Sequence, residues 1–182
     1  MATRRATSKP STDAIAMLKA DHEKVKKLFK QFEKLHEDES IDEAGQVARQ
    51  ICNELRIHTT VEDEIFYPEV RAAIDDDDLM NEADVEHASA KDLIAQIEGM
   101  NAGEDKFAAK VLVLGEYIDH HIKEEHSEMF PKAQKSGLDM KEIGSRMLAR
   151  KRDLQAEMGM DDSDANAAGQ NSDRKPRAPA HA

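Results

Sequence analysis

Two segments of this sequence repeat one arrangement of residues that bind metals. In each segment a histidine is followed four residues later by a glutamate and then by an aromatic residue and a proline. The two sets are His58, Glu62, Tyr67 and Pro68, and His121, Glu125, Phe130 and Pro131. Residues four apart share one face of a helix. Each histidine–glutamate pair can therefore reach a common centre from a single helix.

A further histidine precedes each pair at a similar distance. Asp21-His22 lies before His58, and Glu86-His87 lies before His121. The sequence thus contains two similar helical hairpins, and each offers two histidines and one glutamate. Six residues are candidate metal ligands: His22, His58, Glu62, His87, His121 and Glu125.

The helices that must position these residues follow from apolar side chains spaced three or four apart. The pattern predicts helices from Ser11–Asp13 onward, from about residue 41 to Pro68, over about 79–98 and over about 105–130. A shorter fifth helix is predicted after Asp139, with Glu142 completing its cap. The candidate ligands interrupt the apolar stripes of the first four helices at core-facing positions.

Short connections between the helices predict an all-α, up-and-down antiparallel four-helix bundle with an additional short C-terminal helix. A helix rises about 1.5 Å per residue. Counted from the connections, the four histidines lie at similar heights, so all six candidates converge in one layer of the core.

Four imidazoles and two carboxylates buried in one layer would be costly without a cation. Two metal ions remove this cost if each takes two histidines and both glutamates bridge them, with oxo, hydroxo or water ligands completing the shells. Mixed imidazole and carboxylate ligands suit iron or manganese, and zinc less well. Cys52 is the only cysteine, which argues against iron–sulfur and structural zinc sites.

Single motifs of this kind have simpler explanations. A lone core histidine usually has only a hydrogen-bond partner, and His-x-x-x-Glu is common on exposed helices. The pair His120 and Glu124 lies off the apolar stripe, so we exclude it. His36 is too far along its helix to join the centre, and His126 and His181 are expected to be solvated. A ferritin-like site would need Glu-x-x-His on two helices, and only one such match is present.

The combined motifs resemble the hemerythrin-like, HHE cation-binding family over roughly residues 12–158. The resemblance implies an up-and-down four-helix bundle with a non-haem di-iron site held by the six residues above. Two departures stand out. Oxygen-carrying hemerythrins have a second histidine one turn along the third helix, where this chain has Ala83 or Lys91, and Glu125 stands where they use a differently spaced Asp. The resulting open position favours water, peroxide, oxygen or nitric oxide as a ligand.

Two residues are further candidates for the surroundings of the metals. Tyr117 and Glu54 each lie one turn before a candidate histidine, so either could bond a ligand or a bound small molecule. A surface tyrosine and a solvated glutamate are equally good interpretations of the sequence.

Composition restricts the partners and the location. The net charge of −12 disfavours nucleic acid and anionic membranes, and no apolar run is long enough to span a bilayer. These features and the single cysteine predict a cytoplasmic protein, as a monomer or weak dimer. Residues 1–10 and 159–182 are predicted to be disordered arms around a bundle at 11–158.

Three functions remain open at this point. The chain could bind or sense oxygen, nitric oxide or peroxide, or buffer iron. It could be a di-iron oxidoreductase that consumes peroxide or nitric oxide. A structural bundle with a vestigial site is disfavoured, because six polar residues occupy core positions.

Overall fold

A computed structural model describes residues 13–160, and within this range every regular element is helical. Of the predicted arms at 1–10 and 159–182, residues 1–10 and 161–182 lie outside the described residues. The elements are α1 (Ala14–Glu37), α2 (Ile41–Val61), a π-helical turn (Glu62–Phe66), α3 (Tyr67–Ala73), α4 (Asp77–Glu98), α5 (Phe107–Glu124), a second π-helical turn (Glu125–Met129), α6 (Phe130–Lys135) and α7 (Met140–Glu157). The predicted four-helix bundle with an additional C-terminal helix is confirmed.

Aspartate caps begin three of the helices. Asp13 accepts a hydrogen bond from the backbone N–H of Ala16 at 3.0 Å, and Asp76 accepts from Leu79 at 3.3 Å. Asp139 accepts from the first turn of α7, as predicted. Each cap satisfies a backbone N–H that the helix itself leaves without an acceptor.

The core consists of two apolar clusters with the polar layer between them. One cluster contains Leu18, Phe66 and Phe130 and extends to α7. The other contains Phe32, Ile51 and Leu114 and extends toward the connections between α1 and α2 and between α4 and α5. Apolar packing in the two clusters therefore holds the helices together, and the layer between the clusters contains polar groups. None of the described helices is long and apolar enough to cross a membrane.

The two prolines of the repeat do not end their helices, which corrects the sequence-based prediction. The backbone N–H of Tyr67 donates to Glu62 O, and that of Phe130 donates to Glu125 O. These bonds span five residues, and the helical path then continues as α3 and α6. Proline has no N–H to donate, and a wider π-helical turn accommodates this loss. Both π-turns begin on a candidate glutamate, and such turns are frequent at functional sites.

The C-terminal helix α7 packs against α1, α2 and the first π-turn. Its buried residues Ile143, Met147 and Leu154 join the apolar cluster beside the polar layer. Beyond this contact, its basic side chains form ion pairs with acidic residues of the bundle: Arg146 with Glu69, Arg150 with Glu64 and Lys151 with Asp21. Helix α7 is thus attached to the bundle by apolar and charged contacts together.

Candidate metal centre

The structure brings all six candidate residues into one buried layer. Their side chains come from α1, α2, α4, α5 and the two π-turns, so each of the four main helical paths contributes. The exposed fractions are 1% for His22, 7% for His58, 0% for Glu62, 2% for His87, 3% for His121 and 1% for Glu125. Their role as metal ligands stays a prediction, and the geometry below supports it.

Two histidines and two glutamates form the first half of the layer. His22 Nε2 lies 3.1 Å from His58 Nε2. Glu62 Oε2 is 3.1 Å from His58 Nε2, and Glu125 Oε2 is 3.1 Å from His22 Nε2. Ligand atoms of these four residues all lie within 4.8 Å of one another, so they could hold a single ion.

The second half of the layer is a smaller group, in which ligand atoms of Glu62, His87 and His121 lie within 4.8 Å of one another. His87 Nε2 lies 3.2 Å from His121 Nε2. Glu62 Oε2 is 3.5 Å from His87 Nε2, and Glu125 Oε2 is 3.6 Å from His121 Nε2. Oε2 of each glutamate therefore faces one histidine of each pair, so both carboxylates would be within reach of two ions.

The outward-facing Nδ1 atoms of the histidines have their own partners. His87 Nδ1 lies 2.6 Å from Asp63, and His121 Nδ1 lies 2.7 Å from Glu86. A carboxylate at this distance fixes the tautomer with the proton on Nδ1. In this tautomer the Nε2 atoms of His87 and His121 carry lone pairs. These lone pairs face the core, where they could bind a cation.

The remaining two histidines differ from this pattern. Nδ1 of His22 lies 2.9 Å from His126 Nε2, an imidazole in place of a carboxylate. Nδ1 of His58 is buried without a hydrogen-bond partner among the described residues, and the carboxylate of Asp21 is 3.8 Å away. His126 was expected to be solvated, but it is half-buried because it packs between His22 and Phe130.

Unsatisfied buried atoms provide a direct test of whether these residues fit a metal. Both carboxylate oxygens of Glu62 and Oε2 of Glu125 make no hydrogen bond within the described part of the chain. Bonds of about 2.1 Å from a metal to nitrogen or oxygen would separate its ligand atoms by about 3.0–3.4 Å. The separations of 3.1–3.6 Å given above are close to this range. The donor set therefore fits divalent or trivalent cations.

The pKa values of Glu62 and Glu125 are shifted in opposite directions by their surroundings. Burial and the neighbouring Glu125 raise the pKa of Glu62. Burial also acts to raise the pKa of Glu125, but His121 and His22 outweigh it and lower that pKa. Opposite shifts of this kind are expected for two buried carboxylates that share one site. Burial lowers the pKa of His58 to about 4, so this imidazole is neutral and available as a ligand.

Tyr67 is part of the layer, and the sequence analysis missed it. Its hydroxyl oxygen lies 3.1 Å from His87 Nε2, 3.3 Å from His121 Nε2 and 3.2 Å from Glu125 Oε1. Burial raises its pKa well above the ordinary value. The repeat had placed Tyr67 next to Pro68, but nothing in the sequence showed that a π-turn would direct it inward.

Of the two residues proposed from sequence to surround the metals, Glu54 lines a small cavity beside the layer and Tyr117 lies on the surface. Tyr117 is 51% exposed, because Ile118 takes the core-facing position before His121. Glu54 is buried and lies near the layer, but its carboxylate forms an ion pair with Lys24 at 2.6 Å. The groups that do face the outward atoms of the candidate ligands are Asp21, Asp63, Glu86 and His126.

The excluded histidine His120 belongs to a surface cluster. Its side chain is 63% exposed and lies 3.3 Å from Glu124 and 3.6 Å from Glu86. Solvent reaches this cluster, and all of its groups can be satisfied by water. The structure therefore agrees with the choice of His121 over its neighbour as the core-facing histidine.

A helical bundle with a buried cluster of histidines and carboxylates defines a metal-binding class of protein. The chain belongs to the Hemerythrin HHE cation binding domain family, whose sequence profile matches residues 13–133. The match includes all six candidate ligands. Helix α7 lies beyond the matched residues.

Two known proteins are similar to this chain. A crystal structure of a Hemerythrin HHE cation binding domain-containing protein from Mycobacterium kansasii superimposes with a TM-score of 0.66, at 23% identity, over 80% of this chain and 88% of the other. This likeness shows the fold. A Nostoc protein named DNA nickase is 28% identical over 114 residues, which are 63% of this chain. The match spans 31% of the length of that relative.

Proposed function

We propose that this protein is a non-haem di-iron protein that binds or senses a small ligand or buffers iron. The observation that carries the proposal is the pair of adjacent buried donor groups, His22, His58, Glu62 and Glu125 in one and Glu62, His87 and His121 in the other. The chemistry of imidazole and carboxylate donors suits iron better than soft-ligand metals. When bound, two iron ions would supply redox change and affinity for oxygen, nitric oxide or peroxide.

A small cavity beside the layer supports a ligand of diatomic size. Its volume is ≈ 10 Å³, about the minimum that holds one water molecule. It is lined by the imidazoles of His22, His58 and His121, by the acidic residues Asp21 and Glu54, and by apolar side chains including Val25 and Ile122. Its small volume excludes large substrates, so the chain can select ligands by size.

Metal analysis tests the proposal directly. The aerobically purified full-length chain is expected to hold close to two iron ions per chain and to absorb in the near ultraviolet through ligand-to-metal charge transfer. Elemental analysis and an absorption spectrum provide the measurement. A colourless protein with one zinc ion per chain would contradict the di-iron assignment.

Tyr67 is the specific observation that favours the second candidate, an oxidoreductase that consumes peroxide or nitric oxide. A phenol in contact with the candidate ligands of one ion can donate a proton inside a water-poor site. A carrier that binds its ligand reversibly has no need for such a donor. Steady-state turnover of peroxide or nitric oxide by the iron-loaded chain separates the two functions.

Replacing Tyr67 with phenylalanine tests its place in the centre. We expect Tyr67→Phe to keep close to two ions but to change the absorption spectrum, because a donor beside the His87 and His121 pair is lost. Any turnover of peroxide should fall by about 10- to 100-fold, a typical range for a proton donor. The matched control is Tyr117→Phe on the surface, which should leave both measurements unchanged. Identical spectra for wild type and Tyr67→Phe would remove the tyrosine from the site.

The chain is also proposed to act on small molecules in the cytoplasm, as a monomer or weak dimer, and not on nucleic acid. Its net charge of −12 opposes contact with phosphate backbones. The name of the Nostoc relative concerns a protein of which only 31% is matched. Nicking of plasmid DNA by the iron-loaded chain would contradict this proposal.

A further inference from the structure

Three of the four histidines have a carboxylate near Nδ1, but the contact of His58 is the longest. Asp63 and Glu86 lie within hydrogen-bond distance of His87 and His121. Asp21 Oδ2 stands 3.8 Å from His58 Nδ1, which has no hydrogen-bond partner among the described residues. Asp21 is thus the carboxylate whose position decides whether His58 is oriented, and a small rotation would close the bond.

Asp21 is held from outside the four-helix bundle. Its Oδ1 forms an ion pair with Lys151 Nζ, and both side chains are only 19% exposed. A pair this sheltered is screened less by water and salt than an exposed one. Lys151 belongs to α7, which lies beyond the residues matched by the family profile.

A second contact from α7 reaches the same half of the centre. Arg150 donates two hydrogen bonds to the carboxylate of Glu64, one from Nε at 2.6 Å and one from Nη2 at 3.1 Å. Glu64 lies in the π-turn that begins with Glu62. Two-point contacts of this kind fix orientation as well as distance. Helix α7 therefore contacts both the partner of His58 and the turn that carries Glu62.

The other half of the centre provides an internal comparison. Lys91 pairs with Asp63, which lies against His87, so a similar Lys–Asp–His chain is present there. Lys91 is 45% exposed, and Asp63 already lies 2.6 Å from His87. His87 therefore depends little on its lysine, whereas His58 depends on a carboxylate that Lys151 must place.

We propose that Lys151 of α7 is a positioning residue for the metal centre, acting through Asp21 to orient His58 as a ligand. This inference rests on the proposed function, because it concerns how firmly one of the two ions is held. Helix α7 thereby becomes a part of the metal site and not only a covering of the apolar core. Partners of metal-binding histidines commonly contribute about 10- to 100-fold to metal affinity.

The test measures release of iron from the full-length loaded chain to a chromogenic ferrous chelator. Lys151→Met is expected to release about half of its iron about tenfold faster than wild type. Lys151→Arg keeps the positive charge and should restore slow release. Two controls should stay close to wild type: Arg152→Met, which changes an exposed residue of α7, and Lys91→Met, which changes the exposed lysine of the other half. Wild-type release by Lys151→Met, or equally fast release by Lys151→Arg, would overturn the proposal.

A second measurement needs no metal. Nitrogen NMR of the imidazoles in the metal-free chain should show His58 with its proton on Nδ1 in wild type and a loss of that preference in Lys151→Met. An unchanged tautomer in the variant, or a wild-type His58 protonated on Nε2, would contradict the positioning role. A wild-type chain that binds no iron but shows the expected change of tautomer would reject the proposed function alone.

Discussion

Replacing His121 with alanine is expected to cost the protein most of its iron. Its Nε2 lies 3.2 Å from His87 Nε2 and faces Glu125, and its Nδ1 is fixed by Glu86. The variant therefore leaves one ion with a single histidine and disturbs a carboxylate that both ions would share. Since partners outside the ligand sphere already contribute about 10- to 100-fold to affinity, loss of a ligand should exceed about 100-fold. Metal content after gel filtration against a weak chelator measures the effect.

The neighbouring residue provides a matched control. His120 is 63% exposed and lies near the carboxylates of Glu86 and Glu124. His120→Ala should keep close to two ions per chain and the wild-type spectrum, because it removes a surface group. Equal loss of iron from the two variants would show that the core-facing histidine had been wrongly chosen.

Removing the metal is expected to lower the melting temperature clearly without unfolding the helices. Ions that bind only the folded chain stabilise it by about 2.7 kcal/mol at a free concentration 100 times the dissociation constant. For a chain of this size that corresponds to about 5–11 °C. The two apolar clusters on either side of the polar layer should preserve most of the helix content. Circular dichroism of the chain before and after chelation measures both quantities.

Two buried glutamates without a cation should destabilise the metal-free chain, and one variant tests this cost. Glu62 is 0% exposed, and both of its oxygens lack hydrogen bonds within the described residues. Burial and Glu125 disfavour the charged form of Glu62, so the uncharged side chain of Glu62→Gln should melt no lower than metal-free wild type. It should also lose the stabilisation that metal gives. Equal melting temperatures for metal-free and metal-loaded wild type would show that the site is not part of the core's stability.

The order of helices and the choice of core-facing residues were predictable from the sequence. Apolar side chains repeat with the period of a helix, and a polar residue at such a position is directed inward whatever the neighbouring helices are. His58 and Glu62, for example, lie four apart on one face in any helix. The repeat of the histidine and glutamate spacing then distinguished His121 from His120, because only one of the two preserves the register. Their function as ligands remains a prediction.

The groups around the candidate ligands could not be predicted in this way, because they are decided between helices. Asp63 follows Glu62 directly, yet its partner is His87 on α4. The partner of Asp21 comes from α7, which the sequence shows only as a further amphipathic helix. Rotation and spacing of packed helices determine such contacts, and neither is encoded in the period of one segment.

The position of Tyr67 also could not be predicted from the sequence, although Tyr67 lies on the same helical path as Glu62. In a regular α-helix of 3.6 residues per turn, a residue five positions after Glu62 would lie well away from its face. The π-turn closes a hydrogen bond across those five residues and places Tyr67 one turn beyond Glu62, against His87 and His121. The sequence alone therefore determined the main helices and those core-facing residues that follow a regular helical period. The tertiary structure decided how the helical paths continue through the prolines and which side chains orient the histidines, because these depend on contacts between distant segments.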